Sequence, residues 1–295
     1  MISNTVAGRR TSPPFQVIGH RGARVLNDHA AIAPENSIRA LQAAASLNAA
    51  IELDVIATKD GVVVLHHDDD MGRLYQVNSS EQRVRFLKYR DLQAALFNSA
   101  GHQATVEKML GSGVQYQQSP TCKDDKIPTL SEVVDAVPHR FLYVEIKALG
   151  IPKRERNQVE RRVAEIFHQK NLYSRAMVIS FNPWSLVQTR LADPKIQTGL
   201  DIELSPFLQK HPMLAAMFVK SLGASAILPP YEHVTPELTA AAHRLGLKIM
   251  PWVYRQTVSE EEAFFPKLYQ MGVDGIVTNA IERLQSFLKT ETPGL

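Results

Sequence analysis

The chain has 295 residues, 44% hydrophobic and 21% charged, ordinary globular values that leave room for a large core. Its 33 basic and 30 acidic residues nearly balance at +3, which argues against nucleic acid as the main partner, and the single cysteine, Cys122, excludes an internal disulfide and a cysteine-type zinc site. No apolar run is long enough to cross a bilayer and the opening MISNTVAGRRTSPPFQ lacks the apolar centre of a signal peptide, so a soluble, cytoplasmic protein with a polar tail over residues 1–14 is expected.

From Phe15 onward, eight short apolar runs recur: FQVIG, AAIELDV, RFLYVEIK, AMVISF, IQTGLDI, ASAILP, KIMPWVY and GIVTN. Most are followed by an amphipathic helical pattern. Strands alternating with helices imply a parallel sheet, and without a GxGxxG turn to support an open doubly wound sheet they predict a TIM (β/α)8 barrel over residues 15–295. The link IATKDG between IELDV and VVVLHH is too short for a parallel crossover, so the second of these runs returns as a hairpin arm. Residues 71–126 break the rhythm and read as an insertion on the functional face, helical near YRDLQAALF and mobile around GSGVQYQQSP.

Local signals agree with this scheme. Asn36 is placed to cap the helix bearing Ile38 and Leu41, TLSE at 129–132 has capping-box spacing, and Gly246 stands where a helix should end. In PKRERNQVERR the charges read as a solvated face opposite a stripe of Val159, Val163, Ile166 and Phe167, so nucleic-acid binding is not expected. The run PFLQKHPMLAAMF reads as core, with an acyl-chain cradle as the alternative.

The chemistry follows from strand alternation, since residues two apart share a face. Glu52 and Asp54 then point together into the barrel mouth, and Glu145 with Lys147 joins them from YVEIK. Three carboxylates this close repel unless a cation lies among them, and all-oxygen ligation selects a hard ion, Mg²⁺ or Ca²⁺. The alternative is a salt-bridge cluster of Glu145, Lys147 and Arg21. His20 ends the first strand and HHDDD ends the hairpin arm, so two imidazoles stand ready for proton transfer at two points of one reaction. Arg21 and Lys147 suit an oxyanion, and the whole set describes the hydrolysis of an anionic phosphoryl group. Glu35, after the first strand, is positioned to support His20 or Arg21.

These segments, HRGA, APENS, IELDVIATKDGVVVLHHD, IPTLSEV, YVEIK, ISF and GVDGIVTN, in this order from Phe15 to Leu288, resemble the glycerophosphodiester phosphodiesterase family. The resemblance implies a TIM barrel with a hairpin insertion, a divalent metal, and hydrolysis of a small-molecule glycerophosphodiester to an alcohol and sn-glycerol 3-phosphate. It further implies His20 and His67 as the acid/base pair, with Asp68 orienting His67, Glu52, Asp54 and Glu145 as metal ligands, and Arg21 and Lys147 as phosphate contacts. Trp252 matches a substrate-binding tryptophan of the family pattern. Two departures stand out: Arg255 in WVYR, where a small polar residue is common, and Asn279, where the last strand of the family often ends in Asp. A lysophospholipase D and a non-catalytic phosphodiester-binding barrel are the competing readings, and no protein partner is evident.

Overall fold

A computed structural model describes residues 15–24, 33–76, 82–110, 126–253 and 257–291. The expected N-terminal tail, Cys122, the run GSGVQYQQSP and Arg255 lie outside them. Eleven strands are present among the described residues: β1 (Gln16–Gly19), β2 (Ala50–Ala57), β3 (Val63–Leu65), β4 (Tyr75–Gln76), β5 (Leu96–Phe97), β6 (Leu142–Ile146), β7 (Ala176–Ser180), β8 (Thr198–Asp201), β9 (Ala226–Leu228), β10 (Lys248–Ile249) and β11 (Gly275–Thr278).

Eight of them run parallel in the order β10-β9-β8-β7-β6-β2-β1-β11. The ring is completed at Trp252, which bridges in parallel to both Pro230 and Val277, while Val277 N donates to Pro251 O and Val253 N to Val277 O at 2.9 Å each. The eight expected strands are thus the eight barrel strands. β3 pairs antiparallel with the end of β2, Val55 opposite Leu65, as the short IATKDG link requires.

Alternation sorts the side chains into two cores. Leu53, Val55, Val144, Val178 and Ile276 face outward into the main cluster with the helices, and Ile18, Tyr143, Met177, Ile179, Leu228 and Val277 fill the barrel interior. The insertion carries a third cluster, in which Met71, Leu74, Val84, Leu87 and Leu92 pack on Ile56 and Val64 at the arm. Within YRDLQAALF only Tyr89–Gln93 is helical, and Leu96–Phe97 instead pairs with Tyr75–Gln76 as β5 with β4.

Helix ends follow the expected chemistry with one exception. Thr129 and Glu132 form a full capping box, and Gly246 (φ 68°) follows the helix Pro236–Arg244. The cap of the helix Ile38–Ser46 is Ser37, whose hydroxyl accepts from Ala40 N at 3.2 Å, and not Asn36. Asn36 sits one position too early, in the left-handed region at φ 58°, and its amide is used elsewhere. No helix among the described residues is long and apolar enough to cross a membrane.

Candidate active site

β2 and β6 lie side by side with Asp54 directly opposite Glu145, so the two inward-facing rows bring their carboxylates together at the C-terminal mouth of the barrel. Glu52, Asp54 and Glu145 are all buried, and one oxygen from each lies within 4.8 Å of the others. Burial, and after it the charges of Asp54 and Glu145, pushes the Glu52 carboxyl well above its usual range. Burial acts on Asp54 in the same sense but is outweighed by Arg21, His67 and Lys147, which hold it far below.

Lys147 Nζ stands 2.7 Å from Glu145 Oε1 and 3.5 Å from Asp54 Oδ1, and Arg21 Nε is 3.2 Å from Asp54 Oδ2. Two cations therefore offset part of the charge. Glu52 Oε1 and Asp54 Oδ1 nevertheless remain buried with no hydrogen-bond partner. Buried carboxylate oxygens without a hydrogen-bond donor are costly, and a divalent ion would satisfy both. The donor set, all oxygen and all anionic, fits a hard metal.

The loop after β1 is shaped by two left-handed residues, Arg21 (φ 59°) and Gly22 (φ 85°). A Cβ on Gly22 would lie 2.6 Å from the carbonyl of Ala40, so only glycine lets the loop press on the helix Ile38–Ser46. The bend aims the Arg21 backbone N–H at Glu52 Oε2 (2.8 Å), while its side chain reaches Glu35 Oε1 at 2.8 Å. This conformation is uncommon for an arginine, and at Arg21 it is held by contacts from both its backbone and its side chain. Asn36 completes the cradle, since its Nδ2 donates to Asp54 Oδ2 (2.9 Å) and its Oδ1 accepts from Asp54 N (3.1 Å).

Glu35 supports this loop as expected, but through a larger set than the sequence indicates. Its carboxylate takes Arg21, Arg24 (2.9 Å) and Arg73 (2.6 Å) together. Arg24 lies in the loop after β1 and Arg73 comes from the insertion, so no strand or helix period marks either.

His20 and His67 both line the cleft. His20 Nδ1 is 3.1 Å from Asn279 Oδ1, and burial, then Arg21 and Arg24, lowers its pKa well below the usual value. His67 Nδ1 is 2.7 Å from Asp68 Oδ1, whose other oxygen accepts from Arg73 Nε at 2.6 Å. His66 points the other way. It is buried against Tyr75, with Nδ1 2.6 Å from Asp68 O. One residue of register separates the imidazole in the cleft from the one in the core.

The cleft consists of two cavities that share His67, Glu145, Lys147, Phe181, Asp201 and Glu203. The inner one, about 320 Å³, also holds His20, Arg21, Glu52 and Trp252. Trp252 donates from Nε1 to Leu228 O (3.0 Å) and meets Phe181 edge-on, so it both closes the barrel and walls the cavity. The outer one, about 720 Å³, runs beneath the insertion past Asp69, Arg83 and Arg85 to Leu149, Ile151 and Phe218. Asp201 went unrecognised in IQTGLDI. It is 4% exposed, one of its oxygens is buried without a partner, and burial followed by Glu145 raises its pKa well above normal. The core expectation for PFLQKHPMLAAMF holds in part: Ala215 and Ala216 are buried and Leu208 and Met213 pack partly buried against the core, while Phe207, Leu214, Met217 and Phe218 are exposed.

Comparison with known proteins agrees with this geometry. A sequence model described as the glycerophosphoryl diester phosphodiesterase family matches residues 20–283. A glycerophosphodiester phosphodiesterase of Caldanaerobacter subterraneus subsp. tengcongensis is 28% identical over 276 residues, 92% of this chain and 97% of that protein. Among solved structures, a glycerophosphodiester phosphodiesterase from Parabacteroides distasonis aligns with TM-score 0.69 at 23% identity, over 95% of this chain and 99% of that one. An Oleispira antarctica phosphodiesterase, solved in complex with the product sn-glycerol 3-phosphate, aligns with TM-score 0.67 at 20% identity over 94% and 97%. These two likenesses show the same fold.

Proposed function

The chain belongs to the glycerophosphoryl diester phosphodiesterase family, and from that premise we propose that it hydrolyses glycerophosphodiesters to an alcohol and sn-glycerol 3-phosphate with the cleft residues in the roles set out below. The observation that carries this reading is the lining of one cavity by Glu52, Glu145, both imidazoles, Arg21 and Lys147. A phosphodiester bound there meets positive charge, proton donors and acceptors, and a carboxylate cluster within a single small volume.

Glu52, Asp54 and Glu145 would hold the divalent cation, Mg²⁺ or Ca²⁺, which when bound neutralises phosphoryl charge as a Lewis acid. Arg21, fixed by Glu35 and by its left-handed backbone, presents its guanidinium to the phosphate, and Lys147, on the other oxygen of Asp54, adds a second cation. One imidazole takes the proton from the attacking hydroxyl, and the other gives a proton to the departing alkoxide. Asp68 and Arg73 hold His67, and Asn279 holds His20, so each ring is presented by a fixed partner. Trp252 and Phe181 give the organic part of the substrate an apolar wall. His67 lines both cavities, so a substrate bound in the inner one has an open path into the outer one. This reading includes a cytoplasmic location and a small diester substrate.

The test is a panel of glycerophosphodiesters assayed in EDTA, Mg²⁺ and Ca²⁺. Metal-dependent release of sn-glycerol 3-phosphate is the expected result, and absence of release from every member would sink the assignment. A second reading, lysophospholipase D activity, rests on the exposed apolar flank of the outer cavity formed by Leu149 and Phe218. Faster turnover of lysophosphatidylcholine than of glycerophosphocholine would favour it.

A further inference from the structure

Asn279 is the departure from the family pattern at the end of β11, and its neighbours explain how an amide serves there. Its Oδ1 accepts from Arg24 Nη2 and lies 3.1 Å from His20 Nδ1, while its Nδ2 donates to Glu261 Oε1 at 2.6 Å. The other oxygen of Glu261 accepts from Asn279 N (2.8 Å) and from the hydroxyl of Thr278 (2.5 Å). Glu261 is fully buried, in the helix Val258–Glu262 that Thr257 and Glu260 cap, and does not line the cleft.

An amide has two faces of opposite character, and only one arrangement satisfies this set. Turned over, Asn279 would set its oxygen against the Glu261 carboxylate and its NH₂ against Arg24. Both contacts are repulsive. The carboxylate therefore locks Oδ1 toward His20, and an oxygen there can only accept. The Nδ1 of His20 must carry the hydrogen, which leaves Nε2 as the nitrogen available to the cleft in the neutral ring. Every partner of Glu261 is a donor, which fits its ionised form. Burial pushes its pKa up, against the pull of those hydrogen bonds and of Arg24.

We propose that Glu261, acting through the amide of Asn279, is a positioning residue that fixes the tautomer and orientation of His20. With an amide at residue 279, where the family pattern often has Asp, the negative charge behind His20 sits one step further back, at Glu261. The charged groups facing His20 are Arg21 and Arg24 from its own loop, Asp54 from β2 and Glu35 from before the first barrel helix. Among the described residues Nδ1 of His20 meets Asn279 and none of these charged groups. This proposal rests on the catalytic reading of His20 given above.

The test uses the full chain labelled with ¹⁵N at histidine, in two variants, Glu261→Gln and Glu261→Gln/Asn279→Asp. In the single variant an NH₂ replaces an acceptor oxygen, and of the two contacts that orient Asn279 only the one with Arg24 is left. Long-range ¹H–¹⁵N spectra should show the His20 hydrogen redistributed from Nδ1 toward Nε2, and kcat for glycerophosphocholine should fall on the order of 10- to 100-fold with KM little changed. The double variant moves the carboxylate to position 279, where it accepts from both the new amide and His20. It should recover the Nδ1 tautomer and most of kcat, with the pH limb belonging to His20 displaced upward because a carboxylate has replaced an amide beside the ring. A purely structural role for Glu261 predicts no such tautomer change or pH displacement. A folded Glu261→Gln with the original tautomer and kcat overturns the proposal, and so does a folded double variant as slow as the single one. If Glu261→Gln does not fold, the double variant is judged alone by its tautomer, pH limb and kcat. A tautomer that moves with no change in kcat upholds the positioning by Glu261 and refutes the catalytic role of His20.

Discussion

Two clusters of charge sit a few residues apart at the barrel mouth, and they are balanced in opposite ways. At Glu35 a single carboxylate is shared by three guanidinium groups, from Arg21, Arg24 and Arg73. At Glu52, Asp54 and Glu145 three carboxylates share Lys147 and one side of Arg21. The consequences differ accordingly. Burial opposes ionisation of Glu35, yet Arg21 and Arg24 hold its carboxyl well below the usual range, whereas Glu52 is pushed well above it and keeps an oxygen with no partner. In the first cluster both carboxylate oxygens are taken by guanidinium groups, and the cluster builds the loop. The second is complete only with another positive charge, and that difference separates a scaffold from a reaction centre.

The strongest way to break this contrast is through the triad. Glu52→Gln, Asp54→Asn and Glu145→Gln should each lower turnover by about a thousandfold or more, as loss of several kcal/mol of charge stabilisation implies, together with loss of metal affinity. Steady-state assays in excess Mg²⁺ or Ca²⁺ check this, and full activity of any one variant in excess EDTA would remove the metal from the account. Next come the histidines. His20→Ala and His67→Ala should each cost about two to four orders of magnitude in kcat with the fold intact, while His66→Ala should act mainly on thermal stability because its ring is buried against Tyr75. A reversal between His66 and His67 would show that the arm is paired in the wrong register.

The Glu35 cluster gives a prediction of the opposite kind. Glu35→Gln removes the carboxylate shared by three guanidinium groups and leaves the buried Arg24 without its ion-pair partner, so it should destabilise the fold by about 3–5 kcal/mol whether or not metal is present, measured by denaturant unfolding. The smallest effect sharpens the comparison most. Glu52 has a raised pKa in the folded state, so its contribution to stability is present below its ordinary value of 4.5 and is lost as pH rises through the higher folded value. In EDTA, Glu52→Gln should therefore match the parent at low pH and become the more stable protein as pH rises, a gap that thermal melts would show closing when metal is restored.

Much of this was legible from residue alternation. The rows Glu52, Asp54 and Glu145, Lys147 point inward because a strand has period two, and eight apolar runs located every barrel strand from Gln16 to Thr278. Glu35 and Asp68 were placed beside the residues they do contact. What escaped has no period. Arg73 reaches Glu35 and Asp68 from an insertion whose path is set by tertiary packing, and Arg24 reaches the same carboxylate from a loop. Asp201 hid inside an apolar run, although a lone carboxylate at the C-terminal end of a barrel strand is a readable signal of the cleft. Asn36 looked like a cap because capping and side-chain bracing use the same amide, and only its left-handed backbone distinguishes them.

The claim that the triad is an incomplete cluster is tested most directly by calorimetric titration of the EDTA-stripped protein with Mg²⁺ and Ca²⁺, alongside Glu145→Gln. The account predicts saturable binding of one divalent cation by the parent and its loss or severe weakening in the variant, because the two remaining carboxylates are balanced by Lys147 and Arg21. Absence of saturable binding by the parent, or equal binding by Glu145→Gln, would contradict it and leave Glu52, Asp54 and Glu145 as a salt-bridge cluster with Lys147 and Arg21.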